Sequence, residues 1–194
     1  MIYLLHRKND GFTLIEILIS LAIFGVIIGA IFSFSISQRK YLSVQDQISH
    51  MIQNARVAMD ILSGELTIAG YNPNGTVFWG IPYHASQLQI YADLNGNGLL
   101  TDPNENVTYS YDSTNKSITR NTGGGNQPMA ENVQSFNFTY LDDQGNPTTI
   151  TANIRQIQIA ITVRTSKPDP QYAANSGYRT YTLTSRVTPR NLAY

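Results

Sequence analysis

Hydrophobic positions divide the chain into three regimes. Residues 12–36 read FTLIEILISLAIFGVIIGAIFSFSI, a run whose only charge is Glu16. As a helix it would extend about 37 Å, enough to cross the ~30 Å hydrocarbon core of a bilayer. Beyond it, Leu42, Ile48, Met51, Ile52, Ala55, Ala58, Met59, Leu62 and Leu66 recur mostly at three- and four-residue steps, which predicts an amphipathic continuation of the helix. Gln38, Arg39, Lys40, Gln45, Asp46, Gln53, Asn54 and Asp60 fill most remaining positions and would face water, while Gly64 weakens the helix locally. Gly70 followed by Asn72-Pro73-Asn74-Gly75 predicts a stop near Ala69. A helix from Phe12 to Ala69 would be about 87 Å long, with no heptad repeat along its whole length.

The third regime alternates β-branched and aromatic residues with polar ones. It predicts strands at 76–81, 87–92, 107–111, 116–120, 133–141, 154–165 and 178–188. Ile157, Ile159, Ile161 and Val163 hold period two, so that face should lie under the helix, with Gln156, Gln158, Thr162 and Arg164 facing away and Ile154 out of phase. Residues 122–126 (TGGGN) and 167–177 are loops by composition. The expected fold class is α+β: a long N-terminal helix, membrane half plus amphipathic half, packed on an antiparallel β-sheet. The expected divisions are 1–11, 12–36, 37–70 and 71–194.

Composition narrows the function. The 194 residues suit one domain with an extension, and no cysteine is present to form a disulfide, a thiolate metal site or a Cys nucleophile. Thirteen bases balance thirteen acids, so no bulk positive charge calls for nucleic acid. The balance is uneven: residues 60–149 carry nine acids and two bases, residues 150–194 six bases and one acid. Neutralisation of one region by the other, across a sheet or on a neighbouring subunit, is the plainer reading; a basic ligand-binding face is the other.

His6, Arg7 and Lys8 precede the apolar run, which predicts a cytoplasmic N-terminus and an exported remainder. The run is too long for a cleaved signal-peptide core and leads directly into the amphipathic helix, so the segment should be retained. Glu16 is then costly, since a carboxylate at mid-bilayer costs about 2.5–3.5 kcal/mol and somewhat less toward a helix end. The nearest base, Lys8, lies beyond Gly11. Cutting between Gly11 and Phe12 would create an amino group four residues before Glu16, on the same helical face and about 6 Å along the axis. The alternative is a carboxylate that snorkels to the headgroups.

The run Gly11-Phe12-Thr13-Leu14-Ile15-Glu16, with its short basic leader and apolar continuation, resembles the cleavage and methylation segment of type IV prepilins and type II secretion pseudopilins. The resemblance implies that a membrane aspartyl prepilin peptidase removes residues 1–11 and N-methylates Phe12, and that Glu16 pairs with the Phe12 amine of a neighbouring subunit. Such pairing would act as a register mark, because a helix docked at the wrong height leaves both ions unpaired in an apolar bundle. Two departures are Asn9-Asp10 directly before Gly11, where such leaders more often place a base, and the absence of proline from residues 12–36, which leaves Gly25 and Gly29 as the weak points. Gln53-Asn54-Ala55-Arg56-Val57-Ala58-Met59-Asp60-Ile61-Leu62, followed by Ala69-Gly70-Tyr71, resembles the helix end of minor pilins of the PilW kind, with looser similarity at 131–133 and 186–192.

The resemblance implies a pilin-like fold and a non-catalytic minor pilin in the initiation or tip complex of a type IV pilus. It also implies a single-pass inner-membrane location, a periplasmic C-terminal domain that reaches the filament or cell surface on assembly, and partners that are other pilins or pseudopilins. The alternatives are a J-type minor pseudopilin of type II secretion and a membrane-anchored ligand-binding domain that does not assemble.

Other chemistry is sparse. Asp93-Leu94-Asn95-Gly96-Asn97-Gly98 opens like a Ca²⁺ loop, with side-chain oxygens at alternate positions and glycine at the sixth. An EF-hand fails, because the twelfth position is Asn104; Asp93, Asn95, Asn97, Asp102 and Glu105 are the candidate Ca²⁺ ligands, and a hairpin loop rich in turn residues is the alternative. His6, His50 and His84 are scattered and give a triad or metal cluster little support. Asp142 and Asp143 beside Gly145-Asn146-Pro147 read as a hairpin tip, and Tyr109 and Tyr111 at alternate strand positions as packing.

Overall fold

The structure, a computed structural model, describes residues 11–192; most of the expected leader therefore lies outside the described residues. Helix α1, Leu14–Ile68, ends one residue before the predicted stop. The chain forms two compact units, Met1–Gln45 and Asp46–Tyr194, and α1 runs through the division. In the first unit the apolar side chains of the helix, from Leu14 to Phe34, are exposed, as is Leu42. In the second, Met51, Ala55, Ala58, Met59, Leu62 and Leu66 are buried, with Ile48 and Ile52 packed at the edge of the core. The helix continues through Gly64.

The second unit holds two antiparallel sheets where one was expected. The first is a meander of β1 Gln87–Tyr91, β2 Asn106–Asp112, β3 Ser117–Asn121 and β4 Asn126–Ala130. The second is a meander of β5 Val133–Leu141, β6 Gln156–Arg164 and β7 Thr180–Val187. The break falls at Glu131-Asn132, where Asn132 takes a left-handed backbone (φ 55), a conformation that asparagine tolerates better than most residues. The chain is thereby redirected from the edge of one sheet into the other. Both sheets send residues into the core beneath the helix face, among them Leu88, Val107, Tyr109 and Ile118 from the first and Val133, Phe136 and Val187 from the second. The period-two residues Ile157, Ile159, Ile161 and Val163 are fully buried in that core, and Ile154 is buried ahead of β6.

Two strand expectations change. Residues 76–81 form no strand: Thr76 is tied to Asn72 by reciprocal side-chain hydrogen bonds, and Val77 and Trp79 are exposed without a ladder partner. Only Gly80 reaches a neighbouring strand, accepting the Tyr91 N–H at 2.8 Å. Strand β4 is absent from the expected strands, and its first residue, Asn126, falls in the expected 122–126 loop. It contains Pro128, tolerated because β4 is an edge of the sheet, and it pairs with β3 across a bulge at Ile118/Thr119.

Candidate functional site

Two places carry the chemistry anticipated from the residues. In the first unit, Gly11, Phe12 and Thr13 precede the helix in non-helical conformation, and Phe12 is 86% exposed. Glu16 closes a capping box with Thr13. The Thr13 N–H and Oγ1–H both donate to Glu16 Oε2 at 2.8 Å, and the Glu16 N–H approaches Thr13 Oγ1 at 3.4 Å. Sequence reading missed this role of Thr13, although a Thr three residues before a Glu at the head of an apolar run is the signature of such a cap. Among the described residues, Glu16 Oε1 accepts no hydrogen bond. The carboxylate thus uses one oxygen locally, and Glu16 lines a shallow, mainly apolar groove with Phe12, Ile17, Ser20, Leu21 and Phe24.

In the second unit, the chain from Asp93 to Glu105 forms a loop between β1 and β2. Asp93 and Glu105 are fully buried and Asp102 is half-buried. Asp93 accepts the N–H groups of Gly96 (2.8 Å) and Gly98 (2.9 Å), one on each oxygen. Glu105 Oε1 accepts those of Leu94 (2.9 Å) and Asn95 (3.1 Å). The side-chain amides of Asn95 and Asn97 both donate to Asp102 Oδ2 at 2.7 Å. Their carboxamide oxygens accept the N–H groups of Asn97 (2.9 Å) and Leu99 (2.8 Å). As placed, no three His, Asp or Glu side chains among the described residues stand close enough together to share a metal ion.

The remaining candidates behave as structure. His50 is exposed and His84 half-buried, in different parts of the unit. Asp142 caps the β5–β6 hairpin loop through the N–H groups of Gln144 (3.0 Å) and Asn146 (2.7 Å), and the Asn146 N–H leads in holding its carboxyl below the usual range. Tyr109 is buried and donates to Glu65; the Tyr111 hydroxyl faces the Val133 and Gln134 carbonyls at 3.1 and 2.8 Å. The Tyr140 hydroxyl, pushed up to about 12 by burial, lies 3.1 Å from the His84 carbonyl oxygen. Among the described residues, no ion pair joins the acidic region to the basic one. The two ion pairs among the described residues, Arg120–Glu65 and Arg179–Asp169, each lie within one region.

With this geometry in place, the comparisons with known proteins bear on the first unit. Residues 6–32 match a family model described as the prokaryotic N-terminal methylation motif. No curated protein matches the chain. Among solved structures, a type IV-like pilin from Thermus thermophilus is similar at 12% identity with a TM-score of 0.47, over 73% of this chain and 98% of that one. The motif is of the prepilin type and covers the Gly11-Phe12 junction, Glu16 and the apolar run as far as Phe32. It supports a type IV pilin or pseudopilin, and α1 is long and apolar enough to cross a membrane.

Proposed function

We propose that the chain is a minor pilin, a non-catalytic subunit that acts in the initiation or tip complex of a type IV pilus. The observation that carries this reading is the methylation motif at residues 6–32, which encloses the one acid of the apolar run. A prepilin peptidase cleaves between Gly11 and Phe12 and methylates the new amine, which keeps its positive charge. Before assembly, α1 spans the inner membrane once with the second unit in the periplasm, the orientation supported by His6, Arg7 and Lys8 on its N-terminal side. On assembly, the exposed apolar face of residues 12–36 exchanges lipid for the helices of other pilins. The resemblance of the helix end to minor pilins of the PilW kind supports a minor subunit.

Glu16 sets the docking height. Its Oε2 is occupied by Thr13, and Oε1 meets the Phe12 amine of a neighbouring subunit. A helix docked one turn, about 5.4 Å, too high or too low leaves an amine and a carboxylate unpaired among apolar side chains, a penalty of several kcal/mol. The experiment is the intact mass of the mature protein extracted from native membranes. The expected species begins at N-methyl-Phe12; a protein that still begins at Met1 overturns the proposal.

A further inference from the structure

The second unit buries two carboxylates with no base beside them. Asp93 and Glu105 are 0% and 1% exposed, and neither belongs to the ion pairs Arg120–Glu65 and Arg179–Asp169 found among the described residues. Buried charges are ordinarily paired or bound to a metal. Backbone N–H groups satisfy Asp93 and one oxygen of Glu105, but Glu105 Oε2 is buried and accepts no hydrogen bond. It belongs to the carboxylate whose other oxygen holds the Leu94–Asn95 backbone. One turn earlier, Asp102 draws two amide N–H donors onto a single oxygen, and the Glu105 N–H donates to the Asp102 carbonyl at 3.2 Å.

We propose that the 93–105 loop is a Ca²⁺ site, with Asp93, Asp102 and Glu105 as anionic ligands and Asn95 and Asn97 as neutral ones. All five offer oxygen, the donor set of a hard cation, with no imidazole or thiolate to favour zinc or copper. Each Asn carboxamide oxygen uses one lone pair on a backbone N–H and keeps a second. Ca²⁺ accepts six to eight oxygens at about 2.3–2.6 Å in irregular geometry, whereas Mg²⁺ requires a tighter octahedron and sheds water reluctantly. A loop that offers these side-chain oxygens in irregular geometry therefore suits Ca²⁺ better. Because the three acids do not converge as placed, binding contracts the loop: Asp102 leaves the two amides, and Glu105 Oε2 gains the partner it lacks. Gly98 packs against the 72–76 turn, where an added Cβ would stand 2.7 Å from Thr76 Oγ1 and 2.9 Å from Asn74 Nδ2. The contraction therefore also stiffens the corner that displays Val77. This site is independent of the assembly reading.

The test uses the full chain in detergent, stripped with EDTA and titrated calorimetrically with CaCl2 and separately with MgCl2. The expected result is one saturable Ca²⁺ site with affinity between about 10⁻⁶ and 10⁻³ M, and Mg²⁺ weaker by about tenfold or more. Asp102→Ala, which removes a half-buried carboxylate whose side chain is bonded to two side-chain amides, should weaken Ca²⁺ by about tenfold or more. Glu105→Gln, which preserves an acceptor for Leu94 and Asn95, should weaken it similarly. The site is overturned by no saturable heat below about 10 mM Ca²⁺, by equal affinity for Mg²⁺, or by wild-type affinity in Asp102→Ala.

Discussion

Arg120 grips one oxygen of Glu65 with two nitrogens, Nε at 2.9 Å and Nη2 at 2.6 Å, while the other oxygen of Glu65 accepts the hydroxyl proton of buried Tyr109. A helix residue is thereby tied to β2 and β3 through one carboxylate. Burial first, then the Glu65 acceptor and its charge, push the Tyr109 hydroxyl far above its ordinary range, so it remains a donor. Glu65→Ala strands the hydroxyl and leaves a guanidinium that is only 27% exposed with Asn104 Oδ1 as its remaining acceptor, at 3.0 Å. The expected cost is about 2–3 kcal/mol, or roughly 5–10 °C in the unfolding midpoint of the second unit. Tyr109→Phe, which removes one hydrogen bond, should cost about 1 kcal/mol. Thermal unfolding followed by near-ultraviolet circular dichroism decides: a Glu65→Ala midpoint within about 1 °C of wild type would mean the network contributes nothing.

Asp169 accepts the Gln171 N–H at 3.0 Å and Arg179 Nε and Nη2 at 3.1 and 2.8 Å. The Gln171 N–H, then the Arg179 hydrogen bond, hold its carboxyl below the usual range. A depressed folded-state value stabilises at pH above the unfolded value of about 3.9, and that contribution is lost as pH falls through the folded value. Asp112 and Asp142 are lowered too, led by the backbone N–H groups of Asn115 and Asn146, so Asp169 supplies one share of the acid-sensitive stability. Urea unfolding of wild type and Asp169→Asn should show a gap at pH 7 that shrinks below about pH 4. A gap unchanged by acid would detach Asp169 from this dependence.

What the sequence made legible follows from how locally each feature is encoded. The burial of β6 could be read because Ile157, Ile159, Ile161 and Val163 carry the strand period in four adjacent pairs of positions. Strand β4 could not, since Asn126, Gln127 and Pro128 form a ladder only because β3 lies beside them. The Asn132 kink that separates the sheets leaves no trace in hydropathy. Charge totals by region do not reveal the pairs formed inside each region, because Arg179 finds Asp169 only ten residues away, while Arg120 and Glu65 meet across 55. At the N-terminus the apolar setting drew attention to the charge of Glu16 and away from the local cap with Thr13.

Gly80 and Gly64 should respond oppositely to alanine. A Cβ on Gly80 would stand 2.4 Å from the Gly70 nitrogen and 2.5 Å from its Cα, backbone atoms fixed because the Gly70 N–H donates to the Tyr91 carbonyl at 2.8 Å. Gly80→Ala must pry these segments apart, at an expected cost of about 3 kcal/mol. A Cβ on Gly64, inside α1, meets nothing within 4 Å, so Gly64→Ala should add about 0.5–1 kcal/mol by removing glycine's excess unfolded-state freedom. Thermal midpoints of the two variants should fall on opposite sides of wild type; both on the same side would refute the packing described for one of them.

Glu16 combines a local role with the proposed intersubunit one, and two substitutions separate them. Glutamine can replace glutamate in a capping box, so Glu16→Gln retains the bond from Thr13 and loses only the charge, whereas Glu16→Ala loses both. Removing the cap costs about 1 kcal/mol of helix stability at one end; the fold of the second unit and membrane insertion should be unaffected in both variants. If pairing with a neighbour's Phe12 amine sets the register, both variants should enter filaments about tenfold less than wild type or worse, because each leaves that amine without a counter-ion among apolar helices. If capping alone mattered, Glu16→Gln would assemble normally and only Glu16→Ala would fail. Quantifying each variant in sheared filaments against its level in the membrane distinguishes the outcomes, and normal incorporation of Glu16→Gln would refute the charge-pairing role.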